Sequence, residues 1–219
     1  MTMAELSTLV VSWLDDPSQG YFTTKNVNTW LNLAQRQVQM KLLQAGQNWY
    51  MKPVTTTTVS GQSDYVLPSD FIIEHRLEAV LSGTGTNESR QALLPVTTNE
   101  QDLITISLGN PTNYSIKKDR VVLYPTPQSV LTLRLYYSPR VADMSLDTDS
   151  PDVPEQFMEY VALLAAYDGF IKDDRTPENL VQKMVKYEEL LKEMANNRTQ
   201  DSPRRVVMVN DYDYSGSFW

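Results

Sequence analysis

The sequence has no cysteine and a single histidine, His75. Without cysteine there is no disulfide framework, no thiolate nucleophile and no thiolate metal site. With one imidazole, most histidine-based metal and acid–base chemistry is excluded as well. Long apolar runs are also missing. The longest is Val161–Ala166, six residues, against the roughly 20 that a membrane span needs. Met1-Thr2-Met3-Ala4-Glu5 carries no basic stretch followed by an apolar one, so no secretion signal is expected. Glycine is scarce, at 8 residues, and Gly83-Thr84-Gly85 is not followed by the Gly-Lys-Ser/Thr of a phosphate loop. Basic residues are outnumbered: 19 Lys and Arg face 27 Asp and Glu, for a formal charge of −8. That balance argues against a dedicated nucleic-acid binder, which neutralises phosphates with excess base.

What remains is a chain of 219 residues, 41% apolar, enough for one domain or two small ones. Thr2-Met3-Ala4-Glu5 reads as a capping box that opens a helix with Leu6, Leu9, Val10, Trp13 and Leu14 on one face. Asp15-Asp16-Pro17 stops it. Thr23 or Thr24 caps a second, longer helix. Its apolar stripe is Val27, Trp30, Leu31, Ala34, Val38 and Leu42, its other face is rich in Asn and Gln, and Gly46 stands where a left-handed cap belongs.

From Met51 the pattern becomes β. Val54–Val59 is β-branched and reads as one arm of a hairpin, with Gly61-Gln62 as its turn and Tyr65-Val66-Leu67 as the return. A second hairpin is expected around Gly83–Asn87, and a third around Lys118-Asp119. Thr98 and Gln101 match a capping box for a helical turn or two. Leu131, Leu133, Leu135 and Tyr137 alternate with polar residues, as in a strand with one buried face. Helices return at Pro154, with Met158, Val161, Ala162 and Ala165 inward. Thr176-Pro177 then opens a last helix, whose Leu180, Met184, Tyr187, Leu191 and Met194 step by 4, 3, 4, 3, the seam of a bundle.

The expected fold is therefore α+β. Residues 1–50 and 154–196 form a helical bundle, residues 51–153 an inserted antiparallel β region, and residues 197–219 an extended C-terminal tail. Tail aromatics Tyr212, Tyr214, Phe218 and Trp219 crowd the last eight positions. Unfolded segments are normally poor in such residues. With Arg204, Arg205 and the apolar Val206, Val207, Met208 and Val209, they read as a segment that orders on a partner.

No catalytic constellation rises above background. His75 suits a surface histidine better than a member of a Ser-His-Asp triad. Asp143, Asp147, Asp149 and Asp152 crowd one loop, but Pro151, Asp152 and Met158 occupy positions where a calcium loop needs other residues. Those acids are expected to be a solvated connector favouring the N-terminus of the following helix. No cofactor, metal or enzymatic activity is expected.

A series of motifs carries a resemblance. After the first helix come Tyr21-Phe22-Thr23 and Val27-Asn28-Thr29-Trp30-Leu31-Asn32-Leu33-Ala34-Gln35-Arg36. Next come Gly61-Gln62-Ser63-Asp64-Tyr65-Val66-Leu67-Pro68-Ser69-Asp70-Phe71 and Val122-Leu123-Tyr124-Pro125-Thr126-Pro127. The series ends with Leu135-Tyr136-Tyr137-Ser138-Pro139 and Asp147–Glu155. In this order, over roughly Met1 to Glu193, the chain resembles the head-to-tail adaptor (connector, or head-completion) proteins of tailed bacteriophages.

The resemblance implies a structural virion protein, made in the host cytoplasm and placed at the head–tail junction. It implies a homo-oligomeric ring, usually of twelve subunits, below the portal protein, with tail, nozzle or neck proteins as further partners. It implies that double-stranded DNA passes through without sequence-specific binding, and that the tail residues Arg204–Val209, Tyr212, Tyr214, Phe218 and Trp219 grip the portal. A ring needs two different patches that meet. Asn28, Asn32, Gln35 and Gln39 of the second helix, with Tyr187 and Leu191 of the last, are the candidates. Alternatives are a neck or tail-terminator protein of other ring symmetry, a protein-binding module unrelated to phage, and a small hydrolase using His75.

Overall fold

The computed structural model describes residues 1–198 except 17–19, 47, 84, 98, 99, 101–106 and 176. The expected helical turn after Thr98, the Thr176 cap and the tail from residue 199 lie outside the described residues. The described chain is α+β, as expected.

The capping box forms as read. Glu5 N–H donates to the Thr2 hydroxyl and Thr2 N–H to the Glu5 carboxylate, opening α1 (Met3–Leu14). Thr23 caps α2 (Thr24–Gln44), and Gly46 follows it at φ 69°, donating its N–H to the Leu43 carbonyl. A short 3₁₀ turn, Glu155–Phe157, leads into α3 (Met158–Lys172), and α4 runs Glu178–Arg198. The last helix thus continues slightly past Asn196. Helix α3 is buried continuously from Tyr160 to Ala166. A one-sided stripe was expected there. The burial is all-round because α1, α2 and α4 each pack against α3. Gly169 permits this: a Cβ there would stand 2.8 Å from the Leu14 methyls and 3.2 Å from the Trp30 ring. The seam of α4 faces inward as expected, with Leu180 and Leu191 buried and Met184, Tyr187 and Met194 packed against the same core.

The β region is a sandwich with its own apolar core of Tyr65, Leu67, Leu77, Ala79, Leu93, Tyr114, Val121, Leu123, Leu133, Leu135 and Tyr137. One sheet runs β1 (Lys52–Thr57), β10 (Thr132–Pro139), β3 (Phe71–Ser82), β4 (Ser89–Ala92). The other runs β2 (Asp64–Val66), β8 (Arg120–Tyr124), β7 (Asn113–Lys117), β5 (Leu94–Pro95). A bridge of two residues per strand joins β6 (Leu108–Gly109) to β9 (Thr126–Pro127). The β3–β4 and β7–β8 hairpins form as read, the latter with Lys118 at φ 57°. Pairing is antiparallel apart from the two-residue contacts of β5 with β7 and β6 with β9.

The first hairpin is a correction. β1 and β2 do not pair; β1 bonds β10 and β2 bonds β8. Between them the chain crosses from one sheet to the other. Buried Thr58 anchors the crossing by donating to the Ser129 carbonyl at 2.9 Å and accepting from Leu131 N–H at 2.7 Å. The Tyr65 hydroxyl accepts from Val59 N–H at 3.0 Å and donates to the Gln62 carbonyl at 2.8 Å. The short apolar return therefore belongs to the opposite layer. Local β propensity located both strands but not their partners.

Candidate interaction surfaces

The polar face of α2 has a structural task. Asn32, Gln35, Arg36 and Gln39 lie on one side of the helix, and the chain leaving β10 runs along them. The Asn32 side chain accepts from Met144 N–H at 2.8 Å and donates to the Met144 carbonyl at 3.0 Å, like one rung of a sheet. Gln35 donates to the Ala142 carbonyl at 2.8 Å. Gln39 donates to the Pro139 carbonyl at 2.7 Å and accepts from Val141 N–H at 3.1 Å. Arg36 pairs with Asp143 at 2.5 Å. Val141, Met144 and Val153 of this return segment insert into the helical core.

Gln35 and Gln39 are consequently buried, at 0% and 1% exposure. Their amides hold the segment that leaves β10 against α2. Asn28 and Asn32 are half-buried, Asn32 being engaged as above. Leu191 is a core residue of the bundle. Tyr187 stacks on Tyr160 with ring centroids 5.2 Å apart and donates to Glu159 at 2.7 Å. Burial, with the Glu159 bond second, pushes its hydroxyl pKa up to about 12, so it remains a donor at any physiological pH. The tail candidates Arg204, Arg205, Val206, Val207, Met208, Val209, Tyr212, Tyr214, Phe218 and Trp219 lie outside the described residues.

The acidic loop sits against a different helix from the one expected. Asp149 and Asp147 present their carbonyls to Met3 N–H, at 2.6 Å, and Ala4 N–H, at 3.1 Å, at the start of α1 rather than α3. These satisfy two of the amides that a helix start leaves open. Backbone N–H groups of Leu146 and Ser145 hold the Asp149 carboxyl below its ordinary pKa. Among the described residues no cluster of three His, Cys, Asp or Glu side chains can hold a metal ion. His75 Nε2 lies 2.7 Å from the Ser138 hydroxyl. Ser138 is fully buried, so the pair has no open nucleophile. Among the described residues no helix is long and apolar enough to cross a membrane.

One surface was missed in the sequence: an apolar groove of about 320 Å³ opens between β1 and β2 at one side of the sandwich. Its signal was present, since from Pro53 to Ser63 there is no charged residue.

A family model, SU10 adaptor protein, matches residues 1–208, spanning both cores and the start of the tail. The chain belongs to the SU10 adaptor protein family. Membership agrees with the resemblance drawn from the motif series and makes the chain a structural protein of the phage adaptor class. No curated protein matches the sequence. For this adaptor, the match includes Arg204–Met208 and stops before Tyr212, Tyr214, Phe218 and Trp219.

Proposed function

We propose that this adaptor assembles as a ring, a dodecamer, at the head–tail junction. It docks below the portal protein, receives tail or nozzle components on its other side, and lines part of the channel through which DNA leaves. The observation that carries this reading is the family match across residues 1–208, which includes the helical body, the sandwich and the start of the tail. The excess of acid supports the channel role. A wall of the same sign as the phosphates gives passing DNA no counter-charge to bind.

In this reading the bundle of residues 1–50 and 154–196 is the ring body, the β region 51–153 projects from it, and 197–219 engages the portal. Asn28 and Tyr187 keep surface for a ring contact. Arg204, Arg205, Val206, Val207, Met208, Val209, Tyr212, Tyr214, Phe218 and Trp219 supply the portal grip, with Phe218 and Trp219 as the anchors. Buried aromatic anchors each carry roughly 2 kcal/mol or more of binding energy.

The test is to mix the full chain with purified portal and determine the mass and symmetry of the complex. A twelve-subunit collar on the portal is expected. Phe218→Ala/Trp219→Ala is expected to weaken portal binding by about a hundredfold or more. A six-subunit ring on a tail tube, or undiminished portal binding by the double variant, would overturn the respective claim.

A further inference from the structure

The first sheet of the sandwich runs β1, β10, β3, β4, so among the described residues both β1 and β4 are edges. All six residues of β1 are exposed, as are Ser89, Arg90 and Ala92 of β4. Natural edges are blunted with lysines, inward charges, bulges or a covering segment. From Pro53 to Thr57 the strand β1 carries no charge. The one charged residue of β4, Arg90, already pairs with Glu88 at 2.7 Å.

The hydrogen bonds already made fix which backbone groups point outward. Thr58 N–H donates to the Leu131 carbonyl at 2.8 Å, so by alternation Lys52, Val54, Thr56 and Thr58 bond β10. Thr55 and Thr57 therefore direct both their N–H and C=O groups away from the sheet. Pro53, which has no N–H, falls on the same outward side, where proline is tolerated. At the other edge Leu93 N–H donates to the Leu77 carbonyl at 2.8 Å, so Leu93 and Gln91 bond β3. Arg90 and Ala92 then face outward.

The two edges are complementary. Strands β1 and β3 run one way, β10 and β4 the other. The β4 of a second copy, laid beside β1, continues the antiparallel alternation. Only one register gives both threonines a partner within β4: Thr55 opposite Ala92 and Thr57 opposite Arg90. Each threonine then exchanges an N–H and a C=O with the residue facing it. In that register Thr56 and Val54, which stand beside the apolar groove, meet Gln91 and Leu93. Leu93 belongs to the sandwich core, so the inward faces of the two copies match.

The second sheet agrees. Its edges are β2, which shares the groove with β1, and β5, which follows β4 directly after Leu93. Val66 of β2 is 67% exposed and Leu94 of β5 is 64% exposed. Bringing the two flanks together covers both side chains and places no unpaired charge in the joint.

We propose that the β4–β5 flank of one subunit docks on the β1–β2 flank of the next, so that neighbouring sandwiches share a continuous sheet. The proposal rests on the ring reading and adds a contact in the sandwich to the one in the bundle. Unlike edges meeting head to tail propagate around a ring, whereas two β1 edges meeting each other would close a dimer and leave β4 open.

The test is a pair of thiols in a chain that has no cysteine of its own. Thr56 and Gln91 face each other across the joint as a pair without mutual hydrogen bonds, with Cα atoms about 4.5 Å apart, within disulfide reach. Inside one subunit they are three strand spacings apart, about 14 Å, which no disulfide spans. Thr56→Cys/Gln91→Cys, assembled on purified portal and mildly oxidised, is expected to give covalent multimers beyond the dimer. Their ladder should reach the subunit number that the mass of the collar gives. Each single variant is expected to stay uncrosslinked, and so is Thr56→Cys/Lys118→Cys, whose second thiol sits at the β7–β8 tip. In the unaltered chain the amides of Thr55, Thr57, Arg90 and Ala92 should exchange at least tenfold more slowly on assembly. Those of Val54 and Thr56, bonded to β10, should not change. The exchange measurement needs no substitution, so it decides the matter even where the cysteines block assembly. A collar of intact mass that lacks the ladder or the slowing would overturn the proposal and leave the ring standing. Dimers alone, or an equal ladder from the Lys118 control, would also overturn it. A chain that stays monomeric on the portal would overturn the ring reading and this contact with it.

Discussion

In the helical body, α3 is enclosed by three helices, and its side chains from Tyr160 to Ala166 are buried on every face. In the β sandwich the core is closed along β3 and β8 and opens at β1, whose six residues are all exposed. The two regions have cores of comparable composition but different closure. The body closes its core around α3, although Tyr21, Leu33, Met40, Trp49 and Ile171 remain exposed on its outside. The sandwich ends in an unsatisfied backbone edge beside apolar side chains. The body thus closes its central helix on every side, while among the described residues the sandwich leaves one edge of β1 unpaired.

The sharpest way to break this comparison is to open the body. Phe157 and Leu163 are fully buried in the helical core. Replacing Phe157 by Ala should cost about 3–5 kcal/mol, and Leu163→Ala about 2–5 kcal/mol. Gly169→Ala acts in the opposite sense, by adding a methyl where Leu14 and Trp30 already crowd the backbone, and should cost about 1–3 kcal/mol. Substituting Val54 by Ala at the sandwich edge should cost well under 1 kcal/mol, because the side chain is already 37% exposed. Urea unfolding midpoints compare the four directly. A Val54 effect as large as that of Leu163 would show that the edge is already covered in solution.

An effect below those of Phe157 and Leu163 is expected where the two regions are joined. Gln39 is the amide on which the exit from β10 rests, and Gln39→Met preserves volume while removing both of its hydrogen bonds. It leaves the Pro139 carbonyl and Val141 N–H buried without a partner, at about 1–3 kcal/mol. Hydrogen exchange should accelerate in residues 139–144 before it does in either core. Uniform acceleration through both cores would mean that the return segment is not a separate unit.

The same residue shows where the sequence was legible and where it was not. Helix starts were read from hydroxyls at fixed spacing, because capping is local chemistry: Thr2 with Glu5 and Thr23 before Thr24 both stand where expected. The α4 seam and the β7–β8 hairpin were legible for the same reason. What depends on distant partners was not. Gln35 and Gln39 look like part of a polar outer stripe, and only the return of residues 139–144 across α2 buries them, with Asn32 beside them half-buried. β1 and β2 look like a hairpin because they are consecutive and short. Their partners arrive about 80 and 60 residues later, and the register of Leu133 and Leu135 against Val54 and Thr56 decides the pairing. The family was legible through motif order, and the tail through composition. The open edge was visible only as an unexplained lack of charge.

The finest distinction between the regions is electrostatic, and pH reads it. Lys41 of α2 and Glu188 of α4 form an ion pair, with the Tyr160 hydroxyl 3.3 Å from the same carboxylate. The hydrogen bond from Lys41 holds the Glu188 carboxyl below its ordinary pKa, against the opposing effect of burial. For Lys41, burial is the largest single influence and pulls the pKa down. The bonds to Glu188 and Tyr160 together outweigh it, and the ammonium ends above its ordinary value. A depressed carboxylate contributes stability above its unfolded pKa, near 4.3, and loses it as pH falls through the lower folded value. A raised lysine contributes below about 10.4 and loses that contribution as pH climbs through the higher folded value. The pair is therefore at full strength from roughly pH 5 to 10. With 35% and 42% of the two side chains exposed, solvent screening limits it to less than about 1 kcal/mol. Glu188→Gln keeps an acceptor for Tyr160 and removes the charge. It should lower the urea midpoint slightly at pH 7 and match the unaltered protein near pH 3. A difference that stays constant across that range would place the contribution in packing between α2 and α4 rather than in the ion pair.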